Sequence, residues 1–163
     1  MRQAASGSGR SAIAPVLIAT AVAGAVALVA LRLHFQPPTI PSYAVVGDDG
    51  REVVLAPRGN FAIDLRPARP VDGAIGARAF LLRGSEVRPW DPPFSVTREG
   101  TIRIAGPVDV LFAGVPAGPW EIAVAVGRPE LLPTAPNDIL KARADDGRPA
   151  GWHLLRQRVR IEG

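Results

Sequence analysis

One uncharged stretch limits what this chain can fold into. Residues Ile13 to Leu31 read IAPVLIATAVAGAVALVAL, 19 residues without a charged side chain. A helix of that length rises about 28 Å, which matches the hydrocarbon thickness of a bilayer. We expect a cytoplasmic segment over 1–12, a transmembrane helix over 13–33 and a proline-rich linker over 34–42. About 125 residues then remain for the folded body, 43–163, which is room for one domain.

The charges beside this stretch predict its orientation. Arg2 and Arg10 precede it, and Arg32 follows it closely. The positive-inside rule then favours a cytoplasmic N-terminus at a bacterial inner membrane, with the C-terminal domain periplasmic or extracellular. A cleaved secretory signal is the alternative, because small residues such as Ala27 and Ala30 provide a cleavage pattern. Both interpretations export the folded body.

The overall charge does not predict a nucleic-acid partner. The net charge is +4, but three of the basic residues flank the apolar stretch, and 16 basic and 15 acidic residues follow Gln36. That balance offers no electrostatic footprint for a phosphate backbone. Cysteine is absent, which excludes disulfides and thiolate chemistry.

Beyond the linker, short apolar runs alternate with Gly, Pro, Asp and Asn, a pattern typical of a β-sandwich or barrel. We predict a mainly β body, an immunoglobulin-like antiparallel β-sandwich preceded by one N-terminal transmembrane helix. The predicted strands number eight, in two sheets: Tyr43–Val46, Glu52–Leu55, Phe61–Leu65, Ala77–Arg83, Phe94–Thr97, Thr101–Ile104, Trp120–Val126 and Trp152–Ile161.

Alternation and turn residues add detail to this prediction. Ile102 and Ile104 face one way in TIRI, and Trp120, Ile122, Val124 and Val126 share one face of WEIAVAV, so these faces are the expected core. Asp48–Gly50 and Arg98–Gly100 resemble hairpin turns, since Gly supplies a positive φ. Asn137 is expected to cap a helix that ends at Ala144, before Asp-Asp-Gly, with Ile139 and Leu140 packed inward.

Residues with catalytic or ligand-binding chemistry are sparse. The histidines are His34 and His153 alone, so no His/Cys cluster with metal-ligand spacing forms. The two Asp-Asp-Gly stretches do not continue into a calcium loop, and no glycine-rich phosphate loop is present. We therefore predict no catalytic residues, no cofactor and no metal, and we predict that the chain is not an enzyme. A hydrolase with an unfamiliar site, dependent on His153, is the competing interpretation.

Four residues are candidates for contact with a partner: Trp90, Arg156, Arg158 and Arg160. Trp90 stands among prolines and could present a rigid aromatic anchor, or could fold back over the end of the sandwich. The arginines alternate along the last strand and place three guanidinium groups on one face. That face could meet acidic lipid headgroups or an acidic partner, or could be a solvated face that guards an edge strand.

The stretch from Ala77 to Gly127 carries a resemblance to a known family. Its segments ARAFLLRGSEVRPWDPP and TIRIAGPVDVLFAGVPAGPWEIAVAVGRPE resemble the exported domains of anti-sigma-factor-like single-pass membrane regulators of GC-rich bacteria, and also generic immunoglobulin-like modules. The similarity would extend over about the last 120 residues. Such regulators carry a cytoplasmic domain, often with a His-Cys-Cys zinc motif. This chain has no cysteine and few residues before its apolar stretch, so only the exported part would be shared.

These observations together predict a membrane-anchored extracytoplasmic β-sandwich module for protein or ligand binding in the bacterial envelope, without catalysis. Its expected partners are the lipid bilayer, through Ile13 to Leu31, and an envelope protein. The alternative is the sensor half of a split, anti-sigma-like transmembrane signalling system.

Overall fold

The computed structural model of the chain describes residues 40–144 and 151–163. The predicted cytoplasmic segment, the transmembrane helix and most of the linker lie outside the described residues. So does the Asp-Asp-Gly stretch at 145–147 that is expected to end the late helix. None of the helices within the described residues combines the length and the apolarity that a membrane crossing needs.

The described residues form a mainly β body with two sheets. The four-stranded sheet has the order β1 (Tyr43–Val45), β3 (Asn60–Pro67), β7 (Ile102–Pro107) and β6 (Phe94–Val96). The five-stranded sheet has the order β2 (Val53–Leu55), β9 (Trp152–Ile161), β8 (Gly118–Gly127), β4 (Gly76–Arg83) and β5 (Glu86–Trp90). Helices α1 (Val108–Leu111) and α2 (Pro136–Ala144) and a 3-10 turn, Pro129–Leu131, complete the described elements.

One hydrophobic cluster joins the two sheets. Alternate residues of β3, of β7 and of the second half of β9 are buried, as expected when one face of a strand packs inward, whereas β8 is buried on both faces from Ile122 to Gly127. The cluster includes Leu65, Ile102, Ile122 and Val159, whose side chains have no exposed surface. Full burial of each such side chain contributes about 1.5–3 kcal/mol, so this shared core is the main stabilising contact between the sheets.

A second cluster covers the opposite face of the five-stranded sheet. Phe80, Ala123 and Ala125 pack there against Ile139 of α2 and against Trp152. Pro136 begins α2, where its missing N–H costs least, and Lys141 and Arg143 lie in the last turn, where cations complement the helix dipole. Ala123 and Ala125, which lie on the face of β8 opposite to the first core, are therefore also apolar, and they are small.

Several predictions from the sequence are confirmed. Ile102, Ile104 and all four residues of the Trp120 face are buried. Arg98–Gly100 is a hairpin turn, because β6 pairs with β7 and Gly100 has a φ of 92°. The predicted helix exists, with Ile139 buried and Leu140 half-buried, but it begins at Pro136, so Asn137 is its second residue and not its cap.

Other predictions are wrong. Asp48–Gly50 forms a turn but no hairpin, since β1 pairs with β3 and β2 with β9 in the other sheet. The β2–β9 pair is parallel, so the sheets are not entirely antiparallel. A ninth strand, β5, follows the two-residue turn after Arg83, where Gly84 has a φ of 63°. Pro89 argues against a strand in the sequence, because proline cannot donate a backbone hydrogen bond, but it is tolerated there because β5 is an edge strand.

Candidate functional site

The three arginines lie on the outer face of β9. Arg156, Arg158 and Arg160 are exposed, and the intervening Gln157 and Val159 are buried. Strand geometry places alternate side chains about 7 Å apart on the same face. The structure therefore brings the three predicted guanidinium groups together in one row.

The arginines differ in their partners. Nε of Arg160 lies 2.8 Å from a carboxylate oxygen of Glu52, and Nη2 of Arg158 donates a hydrogen bond to the carbonyl oxygen of Gly50. Within the described residues, Arg156 forms neither an ion pair nor a side-chain hydrogen bond. Two of the three positive charges thus have no described carboxylate partner.

A groove of about 580 Å³ adjoins Arg156 and Arg158, and this volume lies within the range of ligand sites. Its walls are β1, the segment between β1 and β2, and β9. The residues that line it are Ala44, Val45, Asp48, Gly50, Arg51, Glu121, Leu154, Leu155, Arg156, Gln157 and Arg158. We call this the β9 groove.

Hydrogen bonds hold the wall of the β9 groove in place. Oδ1 of Asp48 accepts a hydrogen bond from the N–H of Gly50 at 2.8 Å, and Oδ1 of Asp49 accepts one from Arg51 at 3.0 Å. Nε2 of Gln157 donates to the carbonyl oxygen of Arg51 at 3.1 Å. Such side-chain to backbone bonds stabilise a turn, so this wall is preformed.

The charge of the β9 groove is positive. Arg51, Arg156 and Arg158 face it, against the carboxylates of Asp48 and Glu121. Glu121 also lies 3.5 Å from Nε of Arg143, a residue outside the lining, which offsets part of its negative charge. Arg51 is offset in the same way, because its Nε lies 3.2 Å from a carboxylate oxygen of Asp49, also outside the lining. Arg156 and Arg158 thus supply most of the positive charge. The groove therefore favours an anionic or hydrogen-bonding ligand.

Sequence reasoning missed the polar residues that complete this groove, among them Asp48 and Gln157. Gln157 carried a usable signal. It occupies the inward-facing position of β9 between Leu155 and Val159, where an apolar side chain is expected, and it is buried. A buried amide in that position indicates a specific hydrogen-bond partner.

Trp90, the other predicted contact residue, lies in the core rather than at the surface. Its side chain is 8% exposed, and its Nε1 donates a hydrogen bond to the carbonyl oxygen of Leu111 at 2.7 Å. Its ring stacks on Phe112 with a centroid separation of 5.1 Å. Trp90 thus closes the C-terminal end of α1, and its indole is not available as an anchor for a partner.

A second cavity, of about 410 Å³, opens beside Trp90. It is bounded by β4, by the proline-rich turn after β5 and by Phe94, which is 45% exposed. Arg78 and Asp91 are its charged lining residues. The prolines at 92 and 93 were the available sequence signal for this cavity, because they keep the chain between β5 and β6 extended and out of a strand pair.

Side chains that could ligate a metal or take part in catalysis are not clustered in the described part of the chain. In the described part of the chain, no three His, Cys, Asp or Glu side chains converge on a position that could hold a metal ion. Nε2 of His153 is buried and has no hydrogen-bond partner within the same residues. Burial raises the pKa of the Tyr43 phenol above its usual 10.0, with Arg128 acting in the opposite direction, and the hydroxyl donates to the carbonyl oxygen of Gly100 at 2.9 Å.

Comparison with known proteins gives one partial similarity to an enzyme. No family model matches the chain. A stretch of 69 residues is 42% identical to the UDP-N-acetylmuramoylalanine–D-glutamate ligase of Frankia casuarinae. This stretch covers 40% of the chain but 14% of the ligase, so the chain spans a small part of that protein. The prediction that the chain is not an enzyme is therefore contradicted, because part of the chain is similar to part of a ligase.

Proposed function

We propose that this chain is a membrane-anchored module whose β body lies outside the cytoplasm and binds another protein of the bacterial envelope. The β9 groove is the binding surface in this proposal. The observation that carries it is the row of Arg156 and Arg158 beside a preformed groove, without described carboxylate partners. Guanidinium groups at a concave surface that have no ion-pair partner among the described residues are suited to a partner that supplies carboxylates.

The body is, in this proposal, an immunoglobulin-like sandwich. Immunoglobulin domains order their strands A-B-E-D in one sheet and G-F-C in the other, with C′ beside C in the variable type. The orders β1-β3-β7-β6 and β9-β8-β4-β5 follow the same scheme, and β2 is an extra edge strand parallel to β9. This scaffold supports binding through edges and loops, although it hosts many tasks and does not by itself select one.

The apolar stretch at Ile13 to Leu31 supports an anchor, with the arginines before it on the cytoplasmic side. Because the chain has no cysteine, single substitutions give unambiguous labelling sites. Ser85→Cys, in an exposed turn, should react with a membrane-impermeant maleimide in intact spheroplasts, and Ser6→Cys should react after lysis alone. Protection of Ser85→Cys until lysis would reject an exported body.

Binding is tested by cross-linking from the groove. Arg156→Cys, carrying a benzophenone on its thiol, should capture an envelope protein that mass spectrometry identifies. Arg66→Cys with the same label is the matched control, since Arg66 is an exposed arginine of β3 in the other sheet. Equal capture from both positions would reject the groove as the binding surface. Co-purification of a cytoplasmic regulator would instead favour the sensor half of a split signalling system.

The match to the ligase favours a second candidate function. The shared 69 residues suggest recognition of UDP-N-acetylmuramoylalanine, the compound in that ligase's name. Titration calorimetry of the full chain with this compound tests the idea, with UDP alone as the control for binding through the nucleotide. Absence of heat beyond that control would reject it.

A further inference from the structure

We propose that the open edge of β9 binds its partner by strand addition, taking up an extended segment with carboxylates at alternate positions. This inference rests on the proposed function, since it names the chemistry and the mode of binding at the same groove.

The first argument is the incomplete pairing of β9. Strand β8 pairs with it along its whole length, from Trp152 to Ile161. On its other side, β2 pairs with Val159–Ile161 alone. Among the described strands, none pairs with Trp152–Arg158 on that side. The carbonyl oxygen of Arg158 accepts a hydrogen bond from Nε2 of Gln157 at 3.3 Å. The remainder of such an edge presents backbone donors and acceptors that an extended segment can pair with, which is the basis of strand addition.

The second argument is charge in register with that edge. Arg156 and Arg158 stand on one face of the unpaired part of β9, two residues apart. A strand added beside them places its own alternate side chains on the same face at the same spacing of about 7 Å. Carboxylates at every second position would therefore each lie opposite a guanidinium group. Charge-assisted hydrogen bonds of this kind are about twice as strong as neutral ones.

The third argument concerns the shape and polarity of the β9 groove. It continues from this edge past Leu155 and Val45, so a segment on the edge would also bury apolar side chains on its inward face. Asp48 and Glu121 limit its positive charge, which favours a segment with spaced carboxylates over a dense polyanion. A partner segment that alternates acidic and apolar or neutral residues meets both conditions.

A second copy of this chain fits the edge less well. Two β9 edges brought together would oppose arginine to arginine, and like charges directly opposite each other destabilise a strand pair. Anionic lipid headgroups could reach the arginines, but a bilayer surface offers no backbone groups to pair with the edge. An acidic extended protein segment therefore accounts for both features.

The test uses the full chain in neutral detergent and a ten-residue peptide of alternating Thr and Glu, with a fluorophore at its N-terminus. A peptide of alternating Thr and Lys controls for charge. A peptide of alternating Pro and Glu keeps every carboxylate but removes half of the backbone donors. We expect the Thr-Glu peptide to bind, and the other two to bind at least about tenfold more weakly.

Variants of the chain locate the binding. Arg156→Glu should lower the affinity for the Thr-Glu peptide by about tenfold or more, because it replaces an attraction between opposite charges by a repulsion between carboxylates. Arg66→Glu is the matched control and should leave the affinity unchanged. Circular dichroism melting of both variants verifies that they fold, which is expected because both arginines are exposed.

Four results would overturn the inference. Equal affinity for the Pro-Glu peptide would mean that charge alone binds, without strand addition. No binding of the Thr-Glu peptide at millimolar concentration would reject an acidic segment. Binding of phosphatidylglycerol vesicles that Arg156→Glu abolishes, without peptide binding, would assign the surface to lipid. A dimer that Arg156→Glu disperses in light scattering would assign the edge to a second copy. The first two results would reject this inference but would leave the proposed function intact, provided that position 156 still cross-links to an envelope protein.

Discussion

Replacement of Trp90 tests whether this residue stabilises the core or serves as an anchor for a partner. Trp90→Phe keeps a ring against Phe112 but removes the N–H that bonds to Leu111 at 2.7 Å. An orphaned buried carbonyl costs about 1–3 kcal/mol, and the smaller ring leaves a cavity worth about 1 kcal/mol. We expect Trp90→Phe to lower the free energy of unfolding by about 3 kcal/mol, and Trp90→Ala by about 3–5 kcal/mol.

Urea unfolding followed by circular dichroism measures these changes. For a body of about 125 residues, 1 kcal/mol shifts the melting temperature by about 3–5 °C, so Trp90→Phe should melt about 10 °C lower. Phe94→Ala is the control from the same cavity; Phe94 is 45% exposed, and its loss should cost less than about 2 kcal/mol. The reasoning is refuted if Trp90→Ala leaves the melting temperature unchanged and abolishes cross-linking from position 156.

Three further predictions concern the backbone, a titrating group and an ion pair. An alanine at Gly127 would place its Cβ 2.5 Å from the Cβ of Trp152 across the β8–β9 pair. Gly127→Ala should therefore lower the free energy of unfolding in urea by about 2 kcal/mol or more. Gly114→Ala is the control, because its Cβ would meet no neighbour, and it should lower this free energy by about 1 kcal/mol. Equal costs would contradict this. Because burial raises the pKa of Tyr43 in the folded state, the unfolded state loses the phenolic proton first as the pH rises past 10.0, and stability falls. Tyr43→Phe should make the loss of stability between about pH 9 and pH 11 smaller, and an unchanged loss would refute the assignment. A double-mutant cycle of Glu52→Gln and Arg160→Gln should give a coupling free energy below about 1 kcal/mol that disappears at high salt, since both side chains of the pair are partly exposed. A larger coupling that salt does not change would count against this prediction.

Local patterns made most strands predictable from the sequence. In β7 and β8, alternation places Ile102, Ile104 and Ile122 on inward faces, and their burial follows from period-two geometry. The row of arginines on β9 was predictable for the same reason. The existence of the helix that begins at Pro136 was also predictable, although its start was wrongly placed at Asn137, which lies within the first turn.

Long-range pairing was not predictable in the same way. The turn at Asp48–Gly50 has hairpin residues, yet the chain crosses between sheets there, because β2 finds its partner in β9. Nothing local distinguishes a turn that reverses a strand from one that transfers it to the other sheet. The β9 groove depends on this crossing, since it lies between β1 and β9, so its lining could not be assembled from spacing alone.

The position of β9 in the five-stranded sheet has a consequence for the order in which the body forms. Arg51 and Gln157, which join the wall of the groove to β9, stand 106 positions apart. Strand β2 therefore has no strand to pair with until β9, the last described strand, has been synthesised. The loop that this pairing closes is long, so its closure is slow. During synthesis β2 stays unpaired and open to proteases and self-association, while β1 and β3, or β4 and β5, can already pair, so the five-stranded sheet is completed only after β9 has emerged.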